Sequence, residues 1–460
     1  MESITDEVKK YFDIDFLNTI YDEKVRFSLG VGVDRINHEI FTKDKEFHLS
    51  IINRKCQDNS YCFSPYRELL KLKGRDKNPR VISIATIRDK IVLSVLKEIL
   101  HEIFPEYVNR TLPNSYISEI KDFYKTEANG NLEIMQIDIK GFYDNINQKI
   151  LINTLQERIQ VEFILNLIIK AIQNPTPHKQ YYKSELKNLK NMKGVPQGLS
   201  ISNILANIYL GSFDSKVSRK VKFYRRYVDD IMIIDKNLSE NNCFIGLKNE
   251  LQILGLDVNN EKSCTALANN SFKYLGYELR LPIVTVKKTT YERFLNLIAA
   301  KITYYIKNRE NIINNNGGTS EFFKRAVIFD LNLKISGAIY NNKSYGWVFY
   351  FLEVNDLHIL YKMDANITSL LKKLVDFKKN VPSELKKLSK AYYEAKYNRS
   401  GKYIINFDSY DSTEKKKSFL INLCIISSKK EYPDKFIDNQ FEKVKTKKLL
   451  ELESDVGLIS

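Results

Sequence analysis

The sequence predicts an α+β fold, and three observations predict it. Between Tyr61 and Tyr277, short runs of β-branched and aromatic residues alternate with longer amphipathic stretches. Two of those runs, Lys222-Phe223-Tyr224-Arg225-Arg226-Tyr227 and Ile231-Met232-Ile233-Ile234, meet across adjacent acids in the pattern of a tight hairpin. After Leu281 the composition shifts towards long helices rich in Lys, Leu and Tyr, broken by the loop signal Asn314-Asn315-Asn316-Gly317-Gly318-Thr319. These shifts divide the 460 residues into an N-terminal extension (1–60), a mixed region (61–280) and a helical remainder (281–460).

Taken in order, the extension reads as mixed and partly helical. From Tyr61 an apolar patch leads into the basic loop Lys71-Leu72-Lys73-Gly74-Arg75-Asp76-Lys77-Asn78-Pro79-Arg80. An alternating strand, Val81 to Ala85, and a helix from Thr86 through Ile103 follow. Thr86 suits an N-cap, with Asp89 as the acid of a capping box. Glu133 to Ile139 reads as a buried strand, and Gln148 to Gln173 as one or two amphipathic helices. Pro196 to Leu210 is a Gly-Leu-Ser turn running into an apolar helix. The hairpin at 227–230 is followed by a helix near Gly246 to Gly255 and a second hairpin-like stretch, Phe272 to Tyr277. There are no tandem repeats. Lys372-Lys373, Lys378-Lys379, Lys386-Lys387 and Lys415-Lys416-Lys417 are solvated helix faces taken singly, and together they add weight to a polyanion partner.

The charge balance points the same way. Lys and Arg number 72 against 56 acids, a formal +16 with pI near 9.2, which favours nucleic acid or a membrane surface over a small neutral substrate. An apolar content of 43% supports a sizeable core. The five cysteines are scattered and the five histidines dispersed, so reduced thiols and no structural zinc are expected. The acidic start, Met1 to Glu7, is no signal peptide, and no apolar run reaches membrane-spanning length. A soluble, cytoplasmic protein without a membrane partner is the expectation.

Chemistry concentrates on three aspartates. Two like charges side by side are costly to bury unless a cation neutralises them, and a pair of Mg²⁺ ions is how nucleotidyl transfer is commonly served. Asp229-Asp230 alone would be an ordinary surface turn, and Asp138, ending Ile134-Met135-Gln136-Ile137, an ordinary cap. Their order is what matters: strand, Asp138, the aromatic Tyr143, then Tyr227-Val228-Asp229-Asp230 downstream. This resembles the A and C motifs of reverse transcriptases. Gly194-Val195-Pro196-Gln197-Gly198-Leu199-Ser200-Ile201-Ser202 with Asn203 to Leu210 resembles the B motif, Leu254-Gly255-Leu256 with Asn260-Glu261-Lys262-Ser263 the D motif, and Phe272 to Tyr277 the primer grip.

The resemblance implies a right-hand polymerase fold: fingers, a ferredoxin-like palm, an α-helical thumb and a helical C-terminal extension. It implies that Asp138, Asp229 and Asp230 surround two Mg²⁺ ions, and that Lys262 protonates the departing pyrophosphate. Tyr143 becomes the bulky gate that excludes a ribose 2′-hydroxyl; read alone it is a buried aromatic. Gln197 and Gly198 line the nucleotide floor, with Ser202 the next matching polar position, and Asp144 faces away from the metals. Arg80 is the finger arginine on the triphosphate, with Lys77 and Arg75 as companion cations. Arg88-Asp89 also matches, as a structural ion pair.

Within the family, the approach to Asp138 and the Leu275-Gly276-Tyr277 motif look like the bacterial branch: group II intron, retron and defence-associated enzymes. Asn114-Ser115-Tyr116 begins like an intron-enzyme motif but continues Ile117-Ser118-Glu119, and Val228 stands where intron and retron enzymes usually carry Ala. No His/Cys-rich nuclease module follows. Leu331 to Ile339 and Tyr345 to Phe351 look like the thumb of the defence-associated group, which implies phage defence and a dedicated non-coding RNA as template or scaffold. The expected partners are that RNA, the DNA product and deoxynucleoside triphosphates; a second copy or a partner protein stays open. A retron enzyme making an RNA–DNA hybrid, a template-independent polymerase on the same site and a catalytically dispensable RNA-binding scaffold are the alternatives.

Overall fold

The computed structural model describes residues 8–457 except 27, 29, 73–77, 110, 128–130, 179–180, 182–183, 185, 187–188, 241, 316–319, 379, 424 and 428–429. The chain divides into two compact units, Met1–Arg110 with Gly130–Leu267, and Thr111–Asn129 with Ala268–Ser460.

In the first unit, helices α1 (Ile14–Ile20), α2 (His38–Lys43) and α3 (Lys45–Gln57) precede the antiparallel pair β1 (Arg67–Lys71) and β2 (Arg80–Ile84). Helix α4 (Ile87–Ile103) starts where the capping box predicts: Thr86 accepts from Asp89 N at 3.3 Å and donates to Asp89 Oδ2 at 2.7 Å. Helix α5 (Pro113–Thr126) belongs to the other unit. Strand β3 (Leu132–Asp138) leads through the short α6 (Phe142–Asn145) to α7 (Gln148–Gln156) and α8 (Glu162–Gln173), two helices where one or two were expected. Helix α9 (Ser202–Ser218) is apolar nearly all round and correspondingly buried. The hairpin β4 (Phe223–Tyr227) and β5 (Asp230–Lys236), α10 (Cys243–Ile253) and β6 (Cys264–Leu267) complete the unit.

The main sheet runs β4-β5-β3-β6, all antiparallel, with β3 and β5 in the centre. Ile231, Met232, Ile233 and Ile234 are all buried, so both faces of β5 are covered. The expected boundary at residue 60 is not where packing divides the chain. Phe12, Leu17, Tyr21, Phe41 and Ile52 share one apolar core with Ile91, Val92 and Leu96 of α4. The chain crosses the start of α4 so closely that a Cβ on Gly32 would lie 2.6 Å from Thr86 Cα. Lys90 Nζ secures the same stretch, donating to Gly30 O at 2.6 Å and Ser28 Oγ at 3.0 Å.

The later part of the second unit, from Ala268, begins with a meander, β7 (Phe272–Tyr274), β8 (Tyr277–Arg280) and β9 (Ile283–Val286). The 28-residue α11 (Lys288–Asn315) and α12 (Ser320–Ser336) follow. The remainder is helical as expected in α13 (Trp347–Tyr350), α14 (His358–Leu371), α15 (Leu388–Tyr397), α16 (Thr413–Asn422) and α17 (Asp434–Gly457). It also holds a sheet not foreseen, β11-β10-β12, from β10 (Ala338–Tyr340), β11 (Lys343–Tyr345) and β12 (Ile405–Asn406). Buried Asp330 is gripped by Lys301 at 3.1 Å, by Lys448 and by Tyr305 Oη at 2.7 Å, which neutralises its charge within the helical packing. Among the described residues no helix is long and apolar enough to cross a membrane, and the described cysteines, Cys56, Cys62, Cys243 and Cys264, are unpaired.

Candidate active site

Two neighbouring strand ends bring the acids together. Asp138, the last residue of β3, lies opposite Asp230, the first of β5, in the antiparallel register. The turn Val228-Asp229 closes β4 onto β5, and Ile139 N donates to Asp229 O at 3.2 Å, tying the turn to the end of β3. Val228 takes this turn at φ 58°, a conformation costly for a β-branched residue. Arg226 holds it there. Its guanidinium donates to Val228 O at 3.0 Å and to Asn207 Oδ1 at 3.2 Å, and forks onto Asp214 at 2.5–3.1 Å. Asn207 and Asp214 both lie on α9, so the B-motif helix and the acidic turn are one hydrogen-bonded assembly.

Asp138 is positioned from the other side by the segment after α10. Asn259 Nδ2 donates to Asp138 Oδ1 at 3.0 Å, Lys262 Nζ to Oδ2 at 2.7 Å, and Asp138 N donates to Ser263 Oγ at 3.1 Å. Burial opposes the charge on Lys262, but the hydrogen bond to Asp138 and the charges of Asp138, Asp230 and Asp229 outweigh it and hold its ammonium above the ordinary lysine range. Burial pushes the Asp229 carboxyl up, and the Asp138 charge pushes it further. Tyr143 is packed beside the same acids; burial and then the Asp229 charge raise its phenol to about 12. The Arg80 guanidinium, at the start of β2, acts on both Asp229 and Tyr143. Lys77 and Arg75 lie outside the described residues.

The B-motif residues have partners of their own. Gln197 Nε2 donates to Asp144 Oδ1 at 3.0 Å, beside a cavity of about 430 Å³ lined by Asp144, Lys190, Lys193, Gly194 and Pro196. Gly198, at φ 103°, makes its close backbone approach to β2, where a Cβ would stand 2.7 Å from Ile82 Cγ2 and 3.0 Å from Ser83 O. Ser83 N donates to Gln197 O at 2.7 Å, and Ser202 Oγ to Pro196 O at 2.6 Å, so the loop is fastened at both ends. The Arg88-Asp89 pairing takes a different form: Tyr61, Ser64 and Thr86 make the hydrogen bonds to the Asp89 carboxylate.

Among the described residues no group of three or more His, Cys, Asp or Glu side chains is gathered into a metal-holding cage. The donor set nevertheless fits a hard divalent cation. The Asp138 charge disfavours ionisation of Asp229, and the carboxylate oxygens of both are what such ions take. An ion of the Mg²⁺ type uses one or two carboxylates plus substrate phosphates and waters, so a complete protein cage is not required. Lys262 supplies a counter-charge to the same acid.

Residues 71–279 match the family described as reverse transcriptase (RNA-dependent DNA polymerase). The chain is 25% identical over 349 residues to the group II intron-encoded protein LtrA of Lactococcus lactis subsp. cremoris, covering 70% of this chain and 55% of that protein. It is 25% identical over 311 residues to the COX1/OXI3 intron 1 protein of Saccharomyces cerevisiae, covering 52% of this chain and 36% of that one. It thus spans about half the length, or less, of these curated relatives. A solved telomerase of Candida tropicalis, in complex with a telomeric RNA fragment, aligns at 13% identity with a TM-score of 0.39, over 93% of this chain and 69% of that one.

Proposed function

We propose that this chain copies RNA into DNA at Asp138, Asp229 and Asp230, because residues 71–279 match the reverse transcriptase family and the chain is similar to a group II intron-encoded protein. The observation that carries the reading is the register that sets Asp138 against Asp230 across β3 and β5, with Asp229 in the adjoining turn. Asp138 and Asp229, supported by Asp230, would hold two Mg²⁺ ions. Bound there, the ions supply charge neutralisation for the triphosphate and a lowered pKa for the primer 3′-hydroxyl. Tyr143 flanks the sugar and denies space to a 2′-hydroxyl. Arg80 and Lys77 bind the triphosphate, and Gln197 and Gly198 support the base. Lys262, protonated and on Asp138, is suitably charged to donate a proton to the leaving pyrophosphate.

Asp138→Asn and Asp229→Asn are the direct tests. Each keeps side-chain volume and removes a charged ligand, so primer extension on an RNA template should fall at least about 100-fold while the melting temperature stays close to wild type. Substantial extension by either variant would overturn the assignment.

We extend the reading to phage defence in the cytoplasm, with a dedicated non-coding RNA as template or scaffold. The thumb-like segments Leu331 to Ile339 and Tyr345 to Phe351 and the net +16 support it. Sequencing the RNA bound to purified protein tests it: one dominant species is expected, and random cellular RNA would refute the dedicated partner.

A further inference from the structure

Helix α15 and the segment after it carry an arrangement that the proposed function has not drawn on. Tyr393 and Tyr397, a helical turn apart, are 44% and 72% exposed, with ring centroids 6.1 Å apart. Lys390 precedes them on the same face by helical spacing, and its ammonium lies 4.8 Å from the centre of the Tyr403 ring. Lys386 reaches that ring too, at 5.3 Å. Lys396 lies 5.9 Å from the Tyr397 ring and is held by Leu352 O at 3.0 Å and Tyr392 Oη at 2.9 Å.

The Tyr403 ring is held in place by its neighbours. Lys387 N donates to Tyr403 Oη at 2.8 Å, and Lys386 Nζ bonds Tyr403 O. Among the described residues the contacts of these lysines are carbonyls, a hydroxyl and rings, while the acids Asp364 and Glu394 lie near enough to act on the Tyr403 phenol. Burial lowers the Lys386 ammonium to about 8, with no carboxylate to offset it. The acid on this helix, Glu394, accepts from Asn398 Nδ2 at 2.8 Å.

We propose that Tyr403, Lys390, Tyr393 and Tyr397, flanked by Lys386 and Lys396, form a track for unpaired RNA, with bases stacked on the exposed tyrosines and phosphates on the lysines. Charge complementarity selects a polyanion, and flat exposed rings select one with free bases over a duplex whose bases are already stacked. The choice of RNA rests on the RNA-copying reading above. The track lies in the second unit and the acidic centre in the first.

The full-length protein and a fluorescein-labelled single-stranded RNA of about twelve nucleotides, within the span such tracks cover, provide the test. The double variant Tyr393→Ala/Tyr397→Ala should bind about thirty-fold more weakly, whereas Tyr393→Phe/Tyr397→Phe, which keeps the rings, should bind like wild type. Lys390→Gln should lower the slope of log affinity against log salt by about 0.7. Circular dichroism melts keep the comparison to folded protein, since both tyrosines are exposed. Wild-type affinity in the double alanine variant would overturn the track. Equally tight binding of an RNA duplex, or of DNA with the same sequence, would overturn its assignment to unpaired RNA. Failure of the wild type to extend a primer on RNA would sink the polymerase reading and leave the ring-dependence of binding to be judged by these affinities.

Discussion

Arg226 joins three acceptor residues, two on α9 and one in the turn, and only a forked, planar cation reaches all of them at once. Arg226→Lys should therefore lower the primer-extension rate by roughly tenfold or more, with the nucleotide KM little changed, because the turn carrying Asp229 loses its tether and no nucleotide contact is touched. Steady-state kinetics at saturating primer-template checks this; an unchanged rate would reduce Arg226 to packing. Tyr143 makes the second prediction at this scale. Tyr143→Val should raise ribonucleotide use relative to deoxyribonucleotide use in single-nucleotide incorporation, since the ring's bulk is the proposed discriminator. That Asp138, Asp229, Asp230 and Lys262 come together was legible in the order of their motifs along the chain. Asn259, Asp214 and the grip of Arg226 on Val228 were not: they exist only once β3, α9 and the hairpin are folded together. Arg226 stood in the basic approach to the turn as one of several cations, and nothing in its neighbours marked it as the buried one.

At the scale of elements, the start of α4 was readable because capping is local chemistry, complete within Thr86 to Asp89. The same Asp89 has a pH signature. It is 1% exposed, and burial raises its carboxyl to about 6 despite donors from Thr86, Tyr61 and Ser64. With the folded value above the unfolded 3.8, its contribution to stability is complete below pH 3.8 and is lost as pH rises through about 6. The shift corresponds to at most about 3 kcal/mol. Comparing urea melts of wild type and Asp89→Asn at pH 5 and pH 7.5, wild type should gain on the variant at the lower pH; a constant difference would mean no such shift. Strand β3 and the hairpin of β4 with β5 were likewise visible in the sequence, whereas the pairing of β3 with β5 was not. Strands β10, β11 and β12 were not, because two- and three-residue strands inside Lys- and Tyr-rich text leave no period to read. Nor was the packing of Phe12 to Ile52 against α4, since a partly apolar extension looks alike whether it is covered or free.

For the whole molecule the net +16 has a direct consequence. RNA that copurifies with the protein should leave it steeply as salt rises, in a linear log–log relation, because each neutralised phosphate releases counterions. The ratio of absorbance at 260 to 280 nm across a salt-gradient column measures this, and retention independent of salt would contradict an electrostatic footprint. A different consequence comes from the route of the chain. Helix α5 is translated between two portions of the first unit, yet its place is in the second, where Lys121 pairs with Glu353 at 2.6 Å. Tyr116, Ile117 and Ile120, buried in the finished protein, belong to a helix that emerges from the ribosome long before that partner has been synthesised. The newborn chain must carry this helix unpartnered through much of its own synthesis. A gene cut after Leu267 would leave it permanently so, exposing an apolar face on the fragment that carries the acidic turn, and such a fragment should be sticky and dependent on chaperones whatever the state of those acids.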